Sequence, residues 1–148
     1  KEGHLDFIII DYLQLLSSGE NLKNRVDEVG KISRGLKEMA RTFEVPVLAL
    51  SQLSRQIEQR EDKRPVMADL RESGSIEQDA DIIMFLHRDV PKKQEGEDTT
   101  KVVRSAKTEL IIAKNRQGAT GSCNLIFKGA QSVFVSEQTL EKKKQEEK

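Results

Sequence analysis

Phe7-Ile8-Ile9-Ile10-Asp11 decides how this chain is read, because four large apolar residues run straight into one carboxylate. A short run of β-branched and aromatic residues reads as a strand buried on both faces, the kind found inside a parallel sheet. An Asp at the end of such a strand emerges at the edge where open α/β sheets bind ligands. In nucleotide-hydrolysing sheets that position holds the acid that orients a Mg²⁺-bound water beside the phosphates. The five residues equally allow Asp11 to cap a following turn or helix, so the neighbouring sequence has to decide.

Tyr12 to Leu16 continues apolar, and Ser17-Ser18-Gly19 marks a loop. From Arg25 the period changes. Val26, Val29, Ile32, Leu36, Met39, Ala40 and Phe43 recur at helical spacing on one face, with Lys31, Arg34, Lys37 and Arg41 off it. Val45-Pro46 ends the helix, since a residue before proline avoids the α region. Val47 to Leu50 is then a second buried strand, closing with Ser51-Gln52. Strand, amphipathic helix and strand make a βαβ unit with parallel strands. Asp11 and Gln52 therefore emerge at the same sheet edge, which favours a functional Asp11 over a capping one.

Residues 54–68 are too charged for a strand, and Pro65 interrupts any long helix, so they read as a mobile surface excursion. Asp69 to Gly74 ends in a glycine-bearing turn, and Ser75 with Gln78 has the spacing of a capping box that starts a short helix. Ile82 to Leu86 reads as a third buried strand. Residues 88–108 read as a loop or frayed hairpin, an insertion rather than core. Leu110 to Ala113 is a fourth strand, running into Lys114-Asn115-Arg116-Gln117-Gly118. Gly118 and Gly121 frame a turn. Asn124 to Phe127 and Val133 to Val135 read as antiparallel strands joined at Gly129-Ala130. From Glu137 the chain is almost wholly charged and reads as a disordered tail or a frayed helix.

The 148 residues suit one domain or a large piece of one. Lys plus Arg and Asp plus Glu each total 25, so any nucleic-acid binding must come from a local basic cluster rather than bulk charge. The single Cys123 excludes an intramolecular disulfide and reads as a small core residue rather than a nucleophile. His4 and His87 stand too far apart in sequence to suggest a metal site. No apolar run reaches the length of a membrane span and no signal peptide is visible, so a cytoplasmic setting is the default.

Four runs carry a family resemblance: Ile9-Ile10-Asp11-Tyr12-Leu13-Gln14-Leu15, Ala49 to Arg55, Asp69 to Asp81, and Ala113 to Gly118. In this order they resemble the C-terminal motor domain of the bacterial replicative DNA helicase of the DnaB type. The resemblance implies an α/β chain with a partial RecA-like P-loop ATPase fold. The expected form is a mostly parallel sheet with helices packed on it and a C-terminal antiparallel hairpin. Residues 1–136 would be part of the motor domain and 137–148 a charged tail. It also implies a hexameric ring that uses ATP and Mg²⁺, binds single-stranded DNA and meets a primase and a helicase loader. No membrane is implied.

Position by position, Asp11 resembles the Walker B acid that holds Mg²⁺ through water. Gln52 resembles the sensor of the γ-phosphate. Arg71, Glu72 and Gly74 resemble the loop that holds the single-strand backbone. Lys114 and Arg116 resemble the pair that reaches the adjacent subunit's ATP. Each role suits its chemistry: an amide both donates and accepts, glycine permits close backbone approach, and a guanidinium fork matches phosphate oxygens. The residues alone also allow blander readings: Gln52 as a helix cap, Arg71 and Glu72 as a surface ion pair, Lys114 and Arg116 as strand-edge charges.

The chain departs from the family at its front. It contains no Gly-x-x-x-x-Gly-Lys-[Ser/Thr], Tyr12 rather than an acid follows Asp11, and the family's catalytic glutamate and N-terminal collar are absent. It therefore reads as a C-terminal piece of a motor, inactive alone, with an open sheet edge beside Gln52 where the P-loop strand would pair. A non-enzymatic assembly module and a RecA-like recombinase are the rivals, and the Asp69 to Asp81 run speaks against the second.

Overall fold

The computed structural model describes residues 3–20, 24–88 and 106–137, with residues 71–73 described in their backbone alone. Two compact units divide the chain, Lys1–Asp81 and Ile82–Lys148.

In the first unit, strand β1 (Ile8–Ile10) leads through a 3₁₀ turn (Leu13–Leu15) to helix α1 (Arg25–Phe43) and strand β2 (Val47–Ala49). The strands pair in parallel, Ile8 opposite Val47 and Ile10 opposite Ala49, which gives the βαβ unit expected from the sequence. The Asn24 side chain caps α1 by accepting the Asp27 N–H at 2.8 Å, and Asp27 and Glu28 favour the positive end of the helix dipole. At the far end Glu44 turns left-handed (φ 54°), and its N–H and that of Val45 both reach the Ala40 carbonyl. A left-handed stop thus closes the helix just ahead of Pro46.

Leu13, Val29, Ile32 and Ile76 form the core, with Leu16, Leu36 and Ala49 packed against it. The ends of the expected α1 stripe, Val26 and Phe43, remain exposed, because the packing partners meet the middle of the helix. Helix α2 (Gly74–Asp79) lies against α1, where a Cβ on Gly30 would come 2.8 Å from Ser75 Oγ. A side chain at position 30 would make the Ser75 hydroxyl turn away. The strands of this pair are not buried on both faces as expected: Ile9 is 63% exposed, since a two-stranded sheet with one helical cover leaves a face open.

The second unit is an antiparallel meander in the order β3 (Ile82–His87), β4 (Ala106–Asn115), β5 (Gly121–Lys128) and β6 (Val133–Ser136). A 3₁₀ turn, Gly129–Gln131, makes the last connection. The α/β class stands, but its parallel part is one strand pair and its antiparallel part is larger than the expected hairpin. Strand β4 begins earlier than the Leu110 to Ala113 run suggests and is long enough to pair β3 and β5 on its two sides. In β3, Ile83 and Phe85 are buried while Ile82, Met84 and Leu86 are exposed. This alternation belongs to a strand covered on one face, and it corrects the fully buried reading. Cys123 is exposed rather than in the core, because the first half of β5 is uncovered. Phe127 and Phe134 meet across strands with their rings tilted at 42° and centroids 4.8 Å apart.

Among the described residues β2 pairs with β1 alone and β3 with β4 alone. The expected open edge beside the strand leading to Gln52 is therefore present. No helix among them is long and apolar enough to cross a membrane. The expected tail and most of the 88–108 insertion lie outside the described residues.

Candidate active site

The parallel pairing brings Asp11 and Gln52 to one sheet edge. Asp11 follows β1 directly and is exposed. Beyond β1 the two chains stay registered: Leu50 N–H donates to the Ile10 carbonyl at 2.9 Å and Leu13 N–H to the Leu50 carbonyl at 2.9 Å. The Asp11–Tyr12 peptide is cis.

Sequence reasoning gives no role to Gln14, whose side chain bridges the two chains at this edge. Its Nε2 donates to Ser51 Oγ at 3.1 Å and to the Gln52 carbonyl at 3.4 Å, and its Oε1 accepts the Gln52 N–H at 3.2 Å. The Gln14 carbonyl in turn accepts from Arg25 Nη2 at 2.7 Å. Arg25 is paired with Glu28, whose carboxylate also accepts the Ser18 N–H at 3.4 Å. The Arg25 guanidinium holds the Glu28 carboxyl below its ordinary range, against a smaller opposing push from burial. The one signal in the sequence is a lone amide inside an apolar run.

From Gln52 the chain passes at once to Ser54, whose N–H donates to the Asp69 carbonyl at 2.9 Å. The buried Asp69 carboxylate accepts from Arg60 Nη2 at 2.8 Å and from the Val66 N–H at 2.8 Å. Arg60 also reaches the Arg64 carbonyl at 3.1 Å. The expected loose excursion is thus folded, with a 3₁₀ turn at Arg55–Gln59 and a second 3₁₀ segment at Met67–Ser73. Two of its charged side chains, Arg60 and Asp62, bond locally, which composition alone does not reveal.

Arg71 and Glu72 lie in that second segment, which kinks at Leu70 and enters α2 at Gly74. The expected turn at Gly74 is absent, since its backbone is right-handed helical (φ −52°). A Cβ on Gly74 would meet nothing within 4 Å.

Lys114 and Arg116 belong to the second unit. Lys114 is half-buried in β4 opposite Ile83, and Arg116 is exposed in the turn that follows. Asn115, another residue to which the sequence gives no role, folds this turn. Its Oδ1 accepts the Gln117 N–H and its Nδ2 donates to the Ala119 carbonyl, both at 3.3 Å. A Cβ on Gly118 would sit 2.6 Å from Asn115 Nδ2, so the clasp requires glycine there.

Among the described residues no group of three or more His, Cys, Asp or Glu could hold a metal ion. One exposed carboxylate still suits Mg²⁺, which keeps several waters and takes one or two carboxylates together with phosphate oxygens.

A carboxylate and an amide just beyond the carboxyl ends of paired parallel strands stand where open α/β sheets bind ligands. Residues 1–136 match the family described as DnaB-like helicase C terminal domain, and the chain belongs to that family. It is 52% identical over 137 residues to the replicative DNA helicase DnaB of Geobacillus stearothermophilus, covering 92% of this chain and 29% of that protein. The Pasteurella multocida DnaB is 49% identical over 134 residues, covering 90% and 27%. Among solved structures, a DnaB-like replicative helicase studied for its interactions with primase superposes with a TM-score of 0.74 at 50% identity, covering 87% of this chain and 29% of that one. A second, solved as an ATPase domain, superposes with a TM-score of 0.75 at 49% identity, covering 88% and 44%. The chain thus spans less than a third of the curated relatives it matches.

Proposed function

We propose that the chain is the C-terminal part, residues 1–136, of the motor domain of an ATP-dependent replicative DNA helicase. In this reading a hexameric ring moves along single-stranded DNA and unwinds the duplex. The observation that carries it is the joint edge of β1 and β2. There Asp11 and Gln52 stand together, and the segment leaving Gln52 is pinned through Ser54 and Asp69 to the one that bears Arg71.

Asp11 would hold Mg²⁺ through a water, and Gln52 senses the γ-phosphate by donating and accepting through one amide. Magnesium bound with ATP supplies charge neutralisation at the phosphates. Arg71 and Glu72 track the DNA backbone, and the open space around Gly74 supports close approach of a strand there. Lys114 and Arg116 act on the neighbouring subunit's ATP. The P-loop comes from residues outside these 148. Primase and a helicase loader are the expected partners, and the setting is cytoplasmic.

The test uses the intact protein on a forked duplex. Unwinding should require ATP, and Asp11→Ala should abolish both hydrolysis and unwinding while single-strand binding persists. Asp11→Ala protein that still unwinds would overturn the assignment.

A further inference from the structure

We propose that Gln14 is a positioning residue for Gln52, fixing the loop after β2 so that the sensor amide keeps its place relative to Asp11. The inference rests on the sensor reading of Gln52. Ser51 and Gln52 lie outside any regular element; backbone bonds hold Leu50 and Ser54 on either side, while the Gln52 N–H and carbonyl are met by the Gln14 side chain. Gln14 supplies both a donor and an acceptor to that pair from far away in sequence.

Gln14 is itself held from two sides. The adjacent Leu13 is a core residue at 3% exposure, and Arg25 grips the Gln14 carbonyl from the first turn of α1. Only an amide of this length serves. Glu keeps the acceptor and loses the donors, Asn is a methylene short, and Leu has the size with neither. The end of β1, the start of α1 and the loop after β2 are thereby one hydrogen-bonded unit, with Asp11 and Gln52 at its two exposed ends.

The experiment measures ATP hydrolysis by the intact helicase with and without single-stranded DNA, for Gln14→Leu, Gln14→Glu, Gln52→Ala and the Gln14→Leu/Gln52→Ala double variant. Ring assembly is checked by native mass spectrometry. Gln14→Leu should lower DNA-stimulated kcat about tenfold, the size expected from losing one or two net hydrogen bonds, with KM for ATP changed less than about twofold. Gln14→Glu, which keeps the acceptor, should fall between Leu and wild type, and it carries the test if the Leu variant fails to assemble. Because Gln14 acts through Gln52, Gln14→Leu should add nothing in the Gln52→Ala background. Additive losses would overturn the proposal by making Gln14 an independent structural residue. Normal DNA stimulation in both Gln14 variants, beside a defective Gln52→Ala, would overturn it while leaving the sensor intact. Normal stimulation in Gln52→Ala would remove the sensor reading and the proposal with it.

Discussion

An arginine that holds a phosphate backbone releases counterions and reads no bases. If Arg71 does this in the ring, Arg71→Ala should weaken single-strand binding equally across sequences. The slope of log affinity against log salt should become shallower by about 0.7 for each phosphate that is no longer neutralised. Fluorescence anisotropy on several oligonucleotides across a salt series measures both, and a sequence-selective loss or an unchanged slope would count against the role. Asp11 and Gln52 are legible because polar residues that end apolar strands announce themselves. Gln14 and Asn115 are not. Gln14 meets its partners only through the parallel register of β1 and β2, and Asn115 looks like any residue of a charged turn until Gly118 is seen to make room for it. Cys123 misleads because strand composition does not say which half of a strand is covered.

Among the elements, α1 is legible since its period is strong and its length is ordinary. Strand direction in the second unit is harder, because an apolar run looks alike in parallel and antiparallel sheets. The segment between Ser54 and Asp69 looks loose for want of apolar residues, yet one buried carboxylate organises it. Asp69→Ala would strip the Arg60 guanidinium and the Val66 N–H of their acceptor. Arg60 is more than a third exposed, so water repays part of the loss. A local cost of about 1–3 kcal/mol remains for the unsatisfied groups. Hydrogen exchange of the intact protein should show the amides around Val66 exchanging about tenfold faster or more, with α1 unchanged. Equal protection in variant and wild type would show that the carboxylate does not hold the segment.

At the scale of the whole molecule, the chain spans 29% of its Geobacillus relative and carries its candidate groups on two separate units. In the proposed ring one ATP is shared: a P-loop from one subunit, Lys114 and Arg116 from the next. An arginine in that position is worth roughly 10³–10⁵ in rate, so Arg116→Ala should nearly abolish hydrolysis while nucleotide binding persists. The most direct measurement mixes intact subunits that carry Arg116→Ala with subunits whose P-loop is dead. Each is inactive alone. Where the first kind supplies the P-loop and the second supplies Arg116, one shared site is whole, so ATP hydrolysis should partly recover once native mass spectrometry shows mixed rings. Mixed rings that form and stay inactive would contradict the shared site.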